Sequence, residues 1–270
     1  MESRNPVLNR EFSAPQLATF HEPPPSAAQL QEMYDGPAGT STTTRMTLDD
    51  VVVRSGILFV ILIAGAFAGW QIVERAAVLV WLCALVAFGL ALAASFTREA
   101  KPALILLYAV FEGLFLGGIS RWYDVYVAQV KGTPTGIVTQ AIIGTLVAFG
   151  VMLALYSSGR LRATPRFQKM MMIALFSYLG IAVVSLVGAL FGVGGGWGFY
   201  GVGGLGLLLC AAGVALAAFT LVLDFDAIQK GVAAGLPERE AWRAAFGLMV
   251  TLVWLYLELL RFLAILNSRS

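Results

Sequence analysis

Residues 243–266 read RAAFGLMVTLVWLYLELLRFLAIL, with charges only at Arg243, Glu258 and Arg261. About 20 predominantly apolar residues in a helix cross roughly 30 Å of hydrocarbon, so this stretch predicts a membrane span. Working back toward the N-terminus, six more apolar runs of similar length appear at 52–73, 76–95, 102–119, 137–157, 170–192 and 203–228. Charged or glycine-rich breaks separate them: Glu74-Arg75, Arg98–Pro102, Arg121–Gly136, Gly159–Lys169, the 192–204 stretch and Lys230–Trp242. The composition agrees. Hydrophobic residues make up 59% and charged ones 13%, against roughly 45–50% and about 25% in an ordinary globular chain. A water-facing exterior cannot be built from that mixture. The expected fold is an all-α membrane protein, seven transmembrane helices in a single bundle.

The first 46 residues differ from the rest. Six of the ten prolines lie in the first 50 residues, at Pro6, Pro15, Pro23, Pro24, Pro25 and Pro37. So little apolar area is available to offset ordering entropy that a disordered Pro-rich cytoplasmic tail is expected over 1–46, before a transmembrane domain over 47–268. The tail has no apolar core of signal-peptide length, so the first membrane helix is expected to target the chain. Thr47, with Asp49 and Asp50 behind it, has the chemistry of a helix start. Basic residues set the orientation. With the N-terminus cytoplasmic, thirteen of the eighteen Lys and Arg fall on the inner side, including Arg160, Arg162, Arg166 and Lys169 in one loop.

Several function classes fall away. A net charge of +2, without a dense basic stretch, gives no reason to expect nucleic-acid binding. Cys83 and Cys210 lie in separate apolar runs and offer neither a disulfide framework nor a CxxC site. The only histidine is His21, in the tail. Intramembrane serine dyads and heptahelical metal hydrolases need membrane histidines, and a retinal Schiff base needs an intramembrane lysine where this chain has Arg261. No second intramembrane aspartate stands in the company a protease dyad with Asp224 would need. No enzyme and no bound cofactor are therefore expected. Gly196–Gly201 matches GxGxxG, but no βαβ unit surrounds it. Trp254, Tyr256 and Phe262 read as packing or interface anchoring.

Ionisable groups inside spans are costly and usually mark pathways, proton sites or ion pairs. Here they are Glu112, Asp224, Asp226, Glu258 and Arg261. From the helix rise, Asp224 lies about 8 Å, Glu112 about 16 Å and Glu258 about 24 Å from the inner boundary. Such a stepped series suits a cation route if the three face one another. Each has an ordinary reading as well. Glu258 and Arg261 share a face at i,i+3 and can neutralise each other. Asp224 and Asp226 point to nearly opposite sides, so one of them reaches toward Lys230. Glu112 precedes Gly113, which forms GxxxG with Gly117, a close-packing pattern.

Other features carry a resemblance. Asp224-Phe225-Asp226-Ala227-Ile228 ends the sixth span, and the seventh contains Leu255-Tyr256-Leu257-Glu258 followed by Leu259-Leu260-Arg261-Phe262. Together with Asn5-Pro6-Val7-Leu8, Thr47–Val52 and Phe111-Glu112-Gly113-Leu114, these resemble the Bax-inhibitor, or transmembrane Bax-inhibitor-motif, family, in its bacterial branch with a polar N-terminal tail. The resemblance implies a multi-pass protein of a bacterial plasma membrane that lets calcium leak down its gradient under pH control. In the family, two carboxylates on spans six and seven share a proton, and an arginine at the end of span two latches onto them. Carried over, the span-six acid is Asp224, the candidate calcium ligand, and the latch is Arg98. Span seven stays open: one match selects Glu258, the other puts Thr251 at the acid's place.

Two functions follow as expectations. One is a cation leak or exchanger in which Asp224, Glu112 and Glu258 bind calcium or its competing protons. The other is a non-conducting regulatory or scaffold protein acting through its tail and the Arg160–Lys169 loop on lipids or partners. Membrane lipids and calcium or protons are the expected partners; the sequence names no protein partner for the tail.

Overall fold

The computed structural model describes residues 44–268 apart from 75, 134–135, 197 and 202, together with 26, 27 and 31. The tail expected over 1–46 thus lies almost wholly outside the described residues. Within them are seven long α-helices: α1 Leu48–Ile72, α2 Ala77–Phe96, α3 Pro102–Lys131, α4 Ile137–Ser157, α5 Pro165–Leu190, α6 Gly203–Ala233 and α7 Glu240–Asn267. All seven are long and apolar enough to cross a membrane.

The starts follow local chemistry. Thr47 caps α1 in a capping box: its hydroxyl accepts from the Asp50 amide at 3.1 Å, while the Asp50 carboxylate accepts from the Thr47 amide at 2.9 Å. Pro102 and Pro165 occupy first turns, where a missing N–H costs nothing, and Thr164 caps α5. One boundary differs clearly from expectation. The third span was expected over 102–119, yet α3 continues to Lys131 before Gly132 ends it at φ 72°. No Gly or Pro intervenes, and Ser120, Tyr123 and Val127 continue the buried stripe. Arg121 and Asp124 therefore mark where hydrocarbon ends, not where the helix ends. α6 likewise runs past residue 228 to Ala233, here through Gly231.

Packing is inside-out relative to a water-soluble protein. Phe67, Phe88, Ile143, Phe176 and Leu208 are exposed, while Glu112, Ser120, Thr145, Thr251 and Glu258 are buried. Lipid is the solvent that tolerates such an exterior. The central helix is α7, packed against α1, α3, α4 and α6; Ala245, Met249, Leu255 and Leu260 on it are fully buried. α1 and α3 interlock through paired glycines. Gly65 lies under the Val110 carbonyl, where a Cβ would stand 3.0 Å away. At Gly69, Gly113 and Gly117 a Cβ would collide with the backbone carbonyls of Leu114, Leu62 and Ala66. The GxxxG of α3 is therefore half of a reciprocal interlock whose other half is Gly65 and Gly69. By contrast, α5 packs its backbone only against α6 and the turns that follow it.

The fifth connection is the glycine-rich 192–204 stretch of the sequence. It forms two short 3-10 turns, Val193–Gly196 and Gly198–Gly201, with Gly192, Gly194, Gly195 and Gly198 at positive φ. It folds back on α5, the Phe199 amide donating to the Ser185 hydroxyl at 2.9 Å.

At the opposite end of the bundle, ion pairs tie the connections together. Arg54 pairs with Glu238 and donates to its carbonyl at 2.9 Å. Arg239 grips Glu99 with two bonds of 2.9 and 3.1 Å. Arg243 caps the exit of α2 by donating to the carbonyls of Thr97 and Arg98. Thr44 and Met46 pair with the α6–α7 turn: the Met46 amide donates to Leu236 and the Glu238 amide to Thr44.

Candidate functional site

The α6–α7 seam carries the candidate site. Asp224 and Thr251 face each other across it: the Thr251 hydroxyl stands within hydrogen-bonding reach of the Asp224 carboxyl. That hydroxyl also reaches the Gly247 carbonyl at 3.2 Å, and its single hydrogen serves one acceptor at a time. Asp224 Oδ2 is buried and takes no hydrogen bond among the described residues. The seam beside it is apolar, with Ala217, Leu221, Val222, Leu248, Leu252 and Leu255 in one buried cluster. A carboxyl oxygen left unpartnered in such surroundings costs stability, so the position calls for a functional explanation. Of the two candidates for the span-seven partner, Thr251 is the one that meets Asp224.

Glu258 stands elsewhere. Its Oε1 accepts from Tyr178 Oη at 2.8 Å and from Trp254 Nε1 at 3.2 Å, and Arg261 Nη1 lies 3.5 Å away. Its Oε2 takes no hydrogen bond and packs against Gly213 of α6, where a Cβ would lie 2.9 Å from it. Gly213 and Asp224 are eleven residues apart on one helix, about 16 Å, and the apolar cluster fills the seam between them. Tyr200 donates to Tyr178 at 3.0 Å, Arg261 lies 4.5 Å over the Tyr200 ring, and Tyr123 hydrogen-bonds Arg261. This network borders a cavity of about 990 Å³ between α2, α3 and α5. Trp254 is thus a hydrogen-bond donor to the acid and Tyr256 is bonded to Ser120 at 2.6 Å, where packing or anchoring alone was expected.

The other positions separate. Asp226 turns away from Asp224; Gln168 donates to it at 3.2 Å and Lys230 pairs with it at 2.5 Å. Glu112 is buried on the α3 face toward α7, and no hydrogen bond or ion pair reaches it among the described residues. It lies between the Tyr108–Phe246 ring contact, 5.1 Å between centroids, and the Ser120–Tyr256 bond. That places it roughly level with Thr251 but on the other flank of α7, since the backbones of α3 and α6 stand apart. No hydrogen bond joins any two of Glu112, Asp224 and Glu258 among the described residues. Nor does Arg98 reach Asp224. Its side chain is exposed in the α2–α3 connection, and only its carbonyl is engaged, by Arg243. Among the described residues no three His, Cys, Asp or Glu side chains converge as a metal-binding group.

Sequence reasoning missed Tyr178, Tyr200, Tyr123 and Gly213. The available signals were weak: a Ser177-Tyr178 pair inside an otherwise apolar span, and one glycine among many. Their partners lie 80 and 45 residues away, beyond any local periodicity.

No match appears among curated proteins. A family model described as Bax inhibitor 1 like matches residues 5–268, nearly the whole chain. Seven apolar helices around a central α7, with a family match over that length, settle the relationship: this chain is a multi-pass membrane protein and belongs to the Bax inhibitor 1 like family.

Proposed function

We propose that the chain is a gated cation leak, with calcium as cargo, that conducts along the α6–α7 seam and is closed in the conformation described here. The reading is carried by Asp224: a half-buried carboxyl whose Oδ2 is buried and lacks a hydrogen bond among the described residues, beside the Thr251 hydroxyl. Hard oxygen donors of that kind suit calcium. The cluster of Leu221, Leu252 and Leu255 toward Glu258 forms the barrier, and the Glu258–Arg261 pair closes the far side. The Thr47 end of the bundle faces the cytoplasm, because thirteen of eighteen basic residues fall on that side.

Protons compete with the cation at Asp224. Because Thr251 rather than an acid stands opposite, one carboxyl titrates there instead of a coupled pair. Calcium flux into proteoliposomes is expected to fall in acid along a single-proton curve. It should drop at least tenfold in Asp224→Asn. Flux that Asp224→Asn leaves unchanged would remove this reading. A regulatory role through lipids keeps one observation on its side: Arg160, Arg166 and Lys169 make no ion pair among the described residues. Loss of function on deleting residues 1–43, with flux intact, would favour it.

A further inference from the structure

The cavity between α2, α3 and α5 lies outside the α6–α7 seam and meets the proposed route only at the Glu258–Arg261 pair. Its volume, about 990 Å³, is at the top of the range that buries a drug-sized ligand, roughly 300–1,000 Å³. It lies between helices whose backbones stand apart: α5 makes no backbone contact with α2 or α3. A membrane amphiphile can therefore enter sideways. The walls are apolar and aromatic, with Trp81, Trp122, Phe176 and Leu179 among them, and one end is polar.

That polar end offers donors. Glu258 is spent: Oε1 accepts from Tyr178 and Trp254, and Oε2 is closed off against Gly213. Arg261 is not. It keeps 29% of its side chain accessible against 5% for Glu258, and its contact with Glu258 is a 3.5 Å ion pair outside the hydrogen-bond geometry of the Tyr178 contact. Arg261 is the counter-charge of Glu258, to which Tyr178 and Trp254 add two neutral hydrogen bonds. A planar guanidinium with an open edge matches a carboxylate by two parallel hydrogen bonds.

We propose that this cleft binds a long-chain fatty carboxylate, with its acyl chain between α5 and the α2–α3 pair and its head on the open edge of Arg261. One guanidinium and one narrow polar end fit a single-chain carboxylate. A two-chain phospholipid would bring a larger head and a second chain. The site is separate from Asp224, and its test reads binding rather than flux.

Three of the six tryptophans, Trp81, Trp122 and Trp254, line the cleft, so a brominated ligand reports occupancy by quenching. The full chain in phosphatidylcholine nanodiscs is titrated with dibromostearate, its methyl ester, and brominated phosphatidylglycerol. The acid is expected to quench saturably, at concentrations at least tenfold below those needed for the ester or the phospholipid. Glu258→Gln/Arg261→Gln removes both charges together, leaving none uncompensated, and should abolish the preference for the acid over the ester. Ala182→Phe fills the cleft without touching the polar end and should weaken the acid at least tenfold. Equal quenching by acid and ester in the unmodified chain overturns the proposal. So does tighter binding of the phospholipid, or an acid preference that survives the double substitution.

Discussion

Two seams of this bundle are built in opposite ways. Between α1 and α3, four glycines bring backbone against backbone, and Arg121 of α3 lies over the Trp70 ring near one end of the contact. Between α6 and α7 the helices meet through side chains: a carboxyl facing a threonine, an apolar plug, and a second carboxyl held by a tyrosine, a tryptophan and an arginine. In lipid the hydrophobic effect gives little preference for one helix neighbour over another, so close packing and internal polar contacts decide association. The first seam uses the former and leaves no room for movement. The second uses the latter. A backbone-packed α1–α3 pair beside an α6–α7 seam of side-chain contacts is the contrast on which the gate proposed above would rest.

The comparison can be broken first at the glycines. Gly117→Leu places a branched side chain where even a Cβ meets the Ala66 carbonyl. It is expected to cost about 3 kcal/mol or more, the upper range for overpacking, read as loss of folded protein in a thermal melt in detergent. An unchanged melt would mean that the backbones are not in contact. Next is Glu258→Gln, which leaves Arg261 without its carboxylate. Arg261 is partly accessible, so the cost is expected near 2 kcal/mol, below the 3–5 of a fully buried broken pair. Adding Arg261→Gln should recover part of it; if the double variant is no more stable than the single, the pair is not what holds this end. Asp224→Asn should barely move stability, by about 1 kcal/mol or less, because Oδ2 has no hydrogen bond to lose. A large loss would reveal a structural partner. The smallest effect belongs to Asp226→Asn, about 0.5 kcal/mol, since its pair with Lys230 is an i,i+4 contact near the surface.

The fold was largely legible, because length and hydropathy of a span are local properties. The exception, α3, shows what hydropathy measures. Arg121 and Asp124 ended the apolar run, but the end of an apolar run does not stop a helix, and α3 continues until Gly132 turns the chain at positive φ. Pairings at short range were legible too: Asp226 with Lys230 and Glu258 with Arg261 follow from helix geometry alone. Gly113 and Gly117 announced close packing without naming Gly65 and Gly69 as the partners. The candidate site was harder. Whether Thr251 or Glu258 faces Asp224 depends on how two antiparallel helices slide past each other, and one seven-residue shift, about 10 Å, separates the alternatives. Sequence periodicity is blind to that offset, because both residues lie on the same face. Arg98 illustrates the same limit: its place in the chain suggested a latch, but the turn after α2 directs its side chain outward.

The central claim is that Asp224 carries the conducted ion across a seam closed by apolar side chains. Its most direct measurement is calcium flux into proteoliposomes for the unmodified chain beside Asp224→Asn, with both shown by thermal melt to be equally folded. Flux at least tenfold lower in the variant is the expected result. Equal flux from two equally stable proteins would contradict the claim.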